Sequence, residues 1–248
     1  GPKVGDAAAM VKLINDEAVT FSLAVPTLWA NIDQYLDHHE LRVPSLGRAV
    51  TGGAACPLAL MESMARKGVA LENAWGMTEM SPMGSYNRHQ PGYDDLPEPA
   101  RGQQLLKSGR ALFGVEMRLL DESGSTLPHD GRSAGALQVR GPWVRSAYFG
   151  QAGSDDWFDT GDIATIDQSG HMQITDRIKD VIKSGGEWIC SVEIENVVMA
   201  HPQVAEAAVI GVAHPRWSER PLLVVVPRDA DAPPCHGELI RFLEGKVP

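Results

Sequence analysis

Arg48-Ala49-Val50-Thr51-Gly52-Gly53-Ala54-Ala55-Cys56-Pro57, running on through Leu60, Met61, Met64 and Gly68 to Val69-Ala70-Leu71-Glu72-Asn73-Ala74-Trp75, decides the fold class. Arg48 to Thr51 reads as a buried strand that ends on a glycine pair. Proline has a fixed φ and no N–H to lose, so Pro57 suits the opening of a helix. Leu60, Met61 and Met64 then recur at helical spacing, and Gly68 closes the helix. Val69 to Trp75 reads as the next strand. Strand, helix and strand in that order imply a largely parallel sheet covered by helices.

The same rhythm extends upstream. Asp6 can cap a helix with Met10, Leu13 and Ile14 on one face. Val19 to Ala24 reads as a strand, and Pro26 starts a helix burying Leu28, Ile32, Tyr35 and Leu36. Downstream the character changes. Residues 91–104 carry Pro, Gly and acidic groups and read as a surface loop. Short strands with turn signals follow at Glu116–Leu120, Ala136–Arg140, Ile163–Ile166 and His171–Thr175, which suggests a small β-rich barrel or sandwich. After Arg177, Val181–Lys183 and Trp188-Ile189 flank Ser184-Gly185-Gly186-Glu187 as a hairpin. Ser191 can cap a helix carrying Ile194, Val197 and Val198. Val204–Val212 and Leu222–Val226 read as strands, and Glu238–Lys246 as a helix. The expected division is 1–104, 105–176 and 177–248.

The net charge of −10 over 248 residues argues against a general nucleic-acid binder, which needs a basic face. One nucleotide needs only a few local donors, so a nucleotide site stays open. No run approaches the ~20 apolar residues of a membrane span, and no signal peptide is evident at Gly1-Pro2-Lys3-Val4. Cys56, Cys190 and Cys235 are widely spaced, with no Cys-x-x-Cys pair. They read as unpaired thiols in a reducing, cytoplasmic compartment.

Four motifs carry chemistry. Gly52-Gly53-Ala54-Ala55 ends a buried strand, where small residues let a flat ligand approach the backbone; a tight turn explains it equally well. Asn73-Ala74-Trp75-Gly76-Met77-Thr78-Glu79-Met80-Ser81-Pro82 offers a stacking face, a hydroxyl donor and a hard oxygen for Mg²⁺. A strand end with a surface carboxylate fits it too. Trp157-Phe158-Asp159-Thr160-Gly161-Asp162 frames a Thr-Gly turn with carboxylates. One of these could accept both hydroxyls of a ribose, or could serve an Asx turn. Thr175-Asp176-Arg177-Ile178-Lys179-Asp180-Val181-Ile182-Lys183-Ser184-Gly185-Gly186-Glu187-Trp188-Ile189 places three cations before a glycine pair. A solvated edge strand also carries lysines in this way.

Taken together, in this order and at these spacings, the motifs resemble the adenylate-forming superfamily of acyl-CoA synthetases, peptide-synthetase adenylation domains and luciferases. The Trp-Gly-Met-Thr-Glu-Met-Ser-Pro and Lys-Ser-Gly-Gly-Glu-Trp-Ile variants look most like the branch of medium- and long-chain fatty-acyl-CoA synthetases and methylmercaptopropionate ligases. The resemblance implies an α/β fold. It comprises the C-terminal part of the large AMP-binding domain, with a mixed sheet and a β-barrel-like subdomain, followed by a small, mobile α+β domain. It implies an ATP-dependent acid–thiol ligase that forms an acyl-AMP and passes the acyl group to coenzyme A.

By that match Trp75, in Trp75-Gly76, stacks on adenine, Thr78 contacts the α-phosphate and Glu79 holds Mg²⁺. Gly53, Ala54 and Ala55 line the adenine and acyl pockets. Asp162 and Arg177 bind the ribose. Lys179 is the hinge between large and small domains. Lys183 helps bind substrate during adenylation, and Ser184, Gly185, Gly186, Glu187 and Trp188 wall the pantetheine channel. The expected ligands are ATP or AMP, Mg²⁺, coenzyme A and a carboxylic, fatty acid, and many relatives are homodimers.

Two parts expected of the family are absent from the sequence. One is a Ser/Thr/Gly-rich phosphate loop. The other is a C-terminal adenylation lysine, for which Gly245-Lys246 falls too early, within the preceding helix. The chain therefore reads as a fragment, with little or no activity of its own. Two rival readings remain: an amino-acid adenylation domain, and a non-catalytic paralogue or interaction module. Intact Trp75, Thr78, Glu79, Asp162 and Arg177 speak against the second.

Overall fold

The computed structural model describes residues 5–88, 92–93, 95–153, 156–185, 187–229 and 231–247. Its first third is the expected strand–helix alternation. Helix α1 (Ala7–Asp16) starts at Asp6, whose carboxylate accepts the Ala9 N–H at 3.1 Å. Its buried face is Val11 and Ile14, whereas Leu13 is exposed. Strand β1 (Phe21–Ala24) leads into α2 (Pro26–His38), then β2 (Arg48–Thr51), α3 (Leu58–Arg66) and β3 (Ala70–Trp75). β1, β2 and β3 pair in parallel.

Trp29 of α2 is the largest side chain of this core. It is fully buried, and its indole N–H donates to the Val50 carbonyl at 3.0 Å. Burial of an indole is favourable only if that donor is satisfied, so the bond fixes α2 against β2. Ile32, Leu36, Leu60, Met61 and Met64 complete the same cluster. Truncating such an aromatic in a close-packed core costs about 3–5 kcal/mol.

The sheet then continues. After a single 3₁₀ turn at Thr78–Met80 come β4 (Ser85–Tyr86), helix α4 (Ala100–Leu106) and β5 (Gly109–Ala111). Then follow β6 (Glu116–Leu120), β7 (Gly135–Arg140), β8 (Phe158–Ile166) and β9 (His171–Arg177). Helix α4 lies partly inside the stretch expected as loop. These strands do not form an isolated sheet. They join the parallel strands in one nine-stranded mixed sheet of order β1-β2-β3-β4-β5-β9-β8-β7-β6. They have their own apolar cluster around Met80, Leu119, Leu137, Phe158 and Met172.

The Thr160-Gly161-Asp162 motif, expected in a turn, lies inside β8. Gly161 has φ +76°, and the β7–β8 register slips between Ala136 and Gln138. Between the Ala136–Ile163 and Gln138–Asp159 pairs β8 carries two residues more than β7, a bulge whose positive-φ position glycine takes without steric cost.

A second sheet, of order β11-β10-β13-β12, comprises β10 (Ile182–Ser184), β11 (Glu187–Ile189), β12 (Val204–His214) and β13 (Ser218–Pro227). Helices α5 (Ser191–Met199) and α6 (His236–Leu243) accompany it, and Ile182, Ile194, Val198, Val204 and Leu239 form its core. The cap of α5 is Cys190, not Ser191: its sulfur accepts the Glu193 N–H at 3.4 Å. Helix α6 stops at Leu243, so Gly245 (φ +71°) and Lys246 lie just beyond it.

Candidate nucleotide site

A cavity of about 800 Å³ opens where the C-terminal ends of the parallel strands face the small sheet. Gly53, Ala54, Ala55, Trp75 and Gly76 line it from the strand ends. Asp162 comes from β8, Arg177 from the end of β9, and Lys179 from the following turn. Val192, Glu195, Ile210 and Gly211 of the second sheet and its helix close the other side. Parallel α/β sheets place their ligand crevices at this edge.

Three side chains expected from the motifs meet here, although they lie on separate strands. The Trp75 indole N–H donates to Asp162 Oδ2 at 2.9 Å, and Arg177 Nε stands 3.5 Å from Asp162 Oδ1. The Thr160 hydroxyl oxygen accepts the Asp162 amide at 3.1 Å, which sets the bulge and turns the carboxylate inward. Asp162 is only 4% exposed. Burial pushes its carboxyl above the ordinary value, while the Trp75 N–H and the Arg177 charge pull it back down.

The ring of Trp75 is held from below. A β-carbon on Gly84 would sit 2.7 Å from Trp75 Cζ3 and would also strike the end of Met80. Gly52 is equally constrained, since its β-carbon would stand 2.8 Å from the Ala74 carbonyl oxygen. The glycines around Trp75 are thus required by close backbone and ring packing. The Cys56 thiol also lines the cavity, and burial pushes it up to about 12, which leaves it a poor nucleophile.

Other expected residues stand apart. Thr78 and Glu79 occupy the 3₁₀ turn just past Met77, which lines the cavity. Glu79 Oε1 accepts the Tyr148 hydroxyl at 3.0 Å, and its backbone carbonyl accepts the Arg145 N–H at 2.8 Å. Lys183, Ser184 and Gly185 lie on the second sheet, outside the cavity lining. There the Gly185 N–H donates to the Trp217 carbonyl at 2.9 Å. A β-carbon on Gly185 would stand 2.9 Å from the Trp217 ring. Gly186 and the side chains of Glu187 and Trp188 lie outside the described residues.

Two residues passed over in the sequence belong to this region. Asp176, 2% exposed, accepts the Ser191 amide at 2.8 Å through Oδ2 and the Arg177 amide at 2.7 Å through Oδ1, tying β9 to the start of α5. Its only signal was its place inside the quoted basic motif. Tyr148 had none, because its partner Glu79 is sixty-nine residues away.

A Mg²⁺ ion fits this chain in one way. Among the described residues no cluster of three or more His, Cys, Asp or Glu could hold a metal. Mg²⁺ is commonly bound through one or two carboxylates plus substrate phosphates. Glu79, half-exposed and oriented by Tyr148, suits that arrangement.

A family model described as AMP-binding enzyme matches residues 2–149, and its C-terminal-domain counterpart matches 193–248. The chain is 47% identical over 244 residues to 3-methylmercaptopropionyl-CoA ligase of Ruegeria pomeroyi, covering 96% of this chain and 45% of that protein. It is 42% identical to the long-chain-fatty-acid–CoA ligase of Thermus thermophilus, covering 92% and 43% of the respective chains. It thus spans a little under half the length of these relatives. Among solved structures, o-succinylbenzoate CoA synthetase from Bacillus subtilis with its acyl-adenylate intermediate aligns with a TM-score of 0.82. The identity is 28%, over 98% of this chain and 48% of that one. The same synthetase with ATP and magnesium aligns at 0.81. The match over residues 2–149 and the shared α/β architecture establish that the chain belongs to the AMP-binding enzyme family.

Proposed function

We propose that the 800 Å³ cavity holds an adenine nucleotide, and that the protein is an AMP-forming acid–thiol ligase which activates a carboxylic acid and transfers it to coenzyme A. The observation that carries this reading is the convergence of Trp75, Asp162 and Arg177 at the strand ends. An indole face for adenine, a buried carboxylate for two ribose hydroxyls and a guanidinium beside it form a nucleoside site. Thr78 and Glu79 follow in the next turn, in line with the α-phosphate and its Mg²⁺. When bound there, the ion offsets phosphate charge.

A carboxylate is a poor acyl donor. Its oxygen attacks the α-phosphorus of ATP, pyrophosphate leaves, and an acyl-AMP forms. The coenzyme A thiolate then attacks the acyl carbon and AMP departs. What the chain contributes is positioning: Trp75 and Asp162 fix the nucleoside, so the α-phosphate is presented at Thr78. Small Gly53, Ala54 and Ala55 leave space for ligand atoms beside the backbone. Lys179, in the turn between the two sheets, is the proposed hinge. Lys183 and the Ser184–Trp188 segment are the proposed face for substrate and pantetheine once the small domain turns. The relatives' names favour a medium- to long-chain fatty acid or a methylthio acid.

The test incubates the complete gene product with ATP, Mg²⁺, coenzyme A and a pool of acids, and reads acyl-CoA masses. A thioester above the no-enzyme control, lost in Asp162→Ala, is expected. ATP-independent thioester, or none with any acid while AMP fails to bind, overturns the proposal.

A further inference from the structure

A second cavity, of about 380 Å³, shares no lining residue with the first. Arg88, Gln104, Arg110, Ser169 and His171 line it, and among the described residues no carboxylate does. This is unusual in a chain of net charge −10.

Strand register builds the site. Tyr86 pairs with Arg110 and Arg110 with His171 across β4, β5 and β9, so the three side chains share one face of the sheet. Among the described residues the Arg110 guanidinium has no hydrogen-bond or salt-bridge partner. The carboxylates near this face are already engaged: Glu72 takes the Tyr86 hydroxyl and pairs with Arg48, and Asp167 is held three ways. It takes Lys107 Nζ at 2.7 Å, the Ser169 hydroxyl at 2.6 Å and the His171 amide at 3.0 Å.

That engagement fixes the histidine. The Ser169 hydroxyl spends its proton on Asp167, so in its 2.7 Å contact with His171 Nδ1 it must accept. His171 therefore carries a proton on Nδ1. Nε2 is bare in the neutral ring and a donor in the charged one.

We propose that this cavity is a second anion site, taking the phosphate group of a small phosphate ester between Arg110 and His171. Guanidinium matches the geometry of phosphate oxygens in a bidentate way. The volume exceeds that of a bare phosphate ion, which argues for an ester. Burial, with Arg110 and Lys107 beside it, holds His171 below its ordinary value despite Asp167. A bound dianion opposes those charges, so binding draws a proton onto His171.

The test titrates the 248-residue chain with inorganic phosphate and with glycerol phosphate at constant ionic strength. Calorimetry is read beside the histidine ring resonances. Saturable binding that shifts His171 is expected, with the ester at least as tight as the free ion. Arg110→Gln should weaken it at least about tenfold and Arg110→Lys by less, both folding normally because the side chain is exposed. Arg177→Gln, in the larger cavity, should leave it unchanged. An unshifted His171, an indifferent Arg110→Gln, exclusion of the ester or sensitivity to Arg177→Gln overturns the assignment.

Discussion

Asp162→Asn separates binding from stability. The amide keeps the shape of the side chain, and its oxygen can still accept the Trp75 N–H now made at 2.9 Å. It loses the negative charge offered to a ribose diol. A hydrogen bond to a charged group contributes about 1.5–3 kcal/mol, against about 0.5–1.5 kcal/mol between neutral groups. Two ribose hydroxyls therefore lose about 2–3 kcal/mol together, roughly a 30- to 140-fold weaker Kd for AMP. Stability should move the other way or not at all. Burial raises the Asp162 carboxyl, so the folded state disfavours the charged form. That cost is present above the raised value and vanishes as the pH falls below the unfolded value, so the variant's advantage is confined to higher pH. The Arg177 ion pair it gives up is two-thirds solvent-exposed on the arginine side and adds little. Calorimetric titration with AMP and thermal melts at pH 7 and pH 3.5 check both halves. Unchanged AMP affinity, or a Tm several degrees lower at pH 7, would refute the reasoning.

Gly84→Ala should cost about 1–3 kcal/mol by overpacking beneath Trp75; urea unfolding reads the loss, and Trp75→Phe, which lacks the clashing Cζ3, should make the added cost of Gly84→Ala smaller. Tyr148→Phe removes the hydrogen bond that orients Glu79, and Mn²⁺ binding in the presence of ATP, read by electron paramagnetic resonance, should weaken roughly tenfold with no change in Tm. Asp167 is held well below the usual carboxylate range by Lys107, Ser169 and the His171 amide, against the opposing effect of burial. It therefore stabilises the fold above the unfolded value and ceases to do so as pH falls. Asp167→Asn should cost about 1–2 kcal/mol at pH 7, with the difference shrinking in the acid range of a urea series.

The α/β character of the fold was legible in the chain because periodicity and punctuation agreed: Pro26 and Pro57 begin helices, and Arg48–Thr51 is β2 as read. What escaped depends on contacts between distant segments. No local pattern names the Val50 carbonyl as the partner of the Trp29 indole, because the two lie on different elements. Thr160-Gly161-Asp162 has the composition of a turn; only pairing of β8 on both sides makes it a bulge within a strand. Ser191 is a good capping residue by type, but its hydroxyl and its amide both go to the Asp176 carboxylate, and the cap falls to Cys190. For the candidate site, Trp75, Asp162 and Arg177 were legible as a set through their motifs, while Tyr148 and Asp176 were not, because their partners are set by tertiary packing.

A crystal structure of the chain with AMP tests the central claim most directly. Adenine is expected against the Trp75 ring, with both ribose hydroxyls within hydrogen-bond distance of the Asp162 carboxylate and the phosphate turned toward Thr78. Well-ordered AMP elsewhere on the molecule, or a nucleoside that touches neither Trp75 nor Asp162, would contradict it.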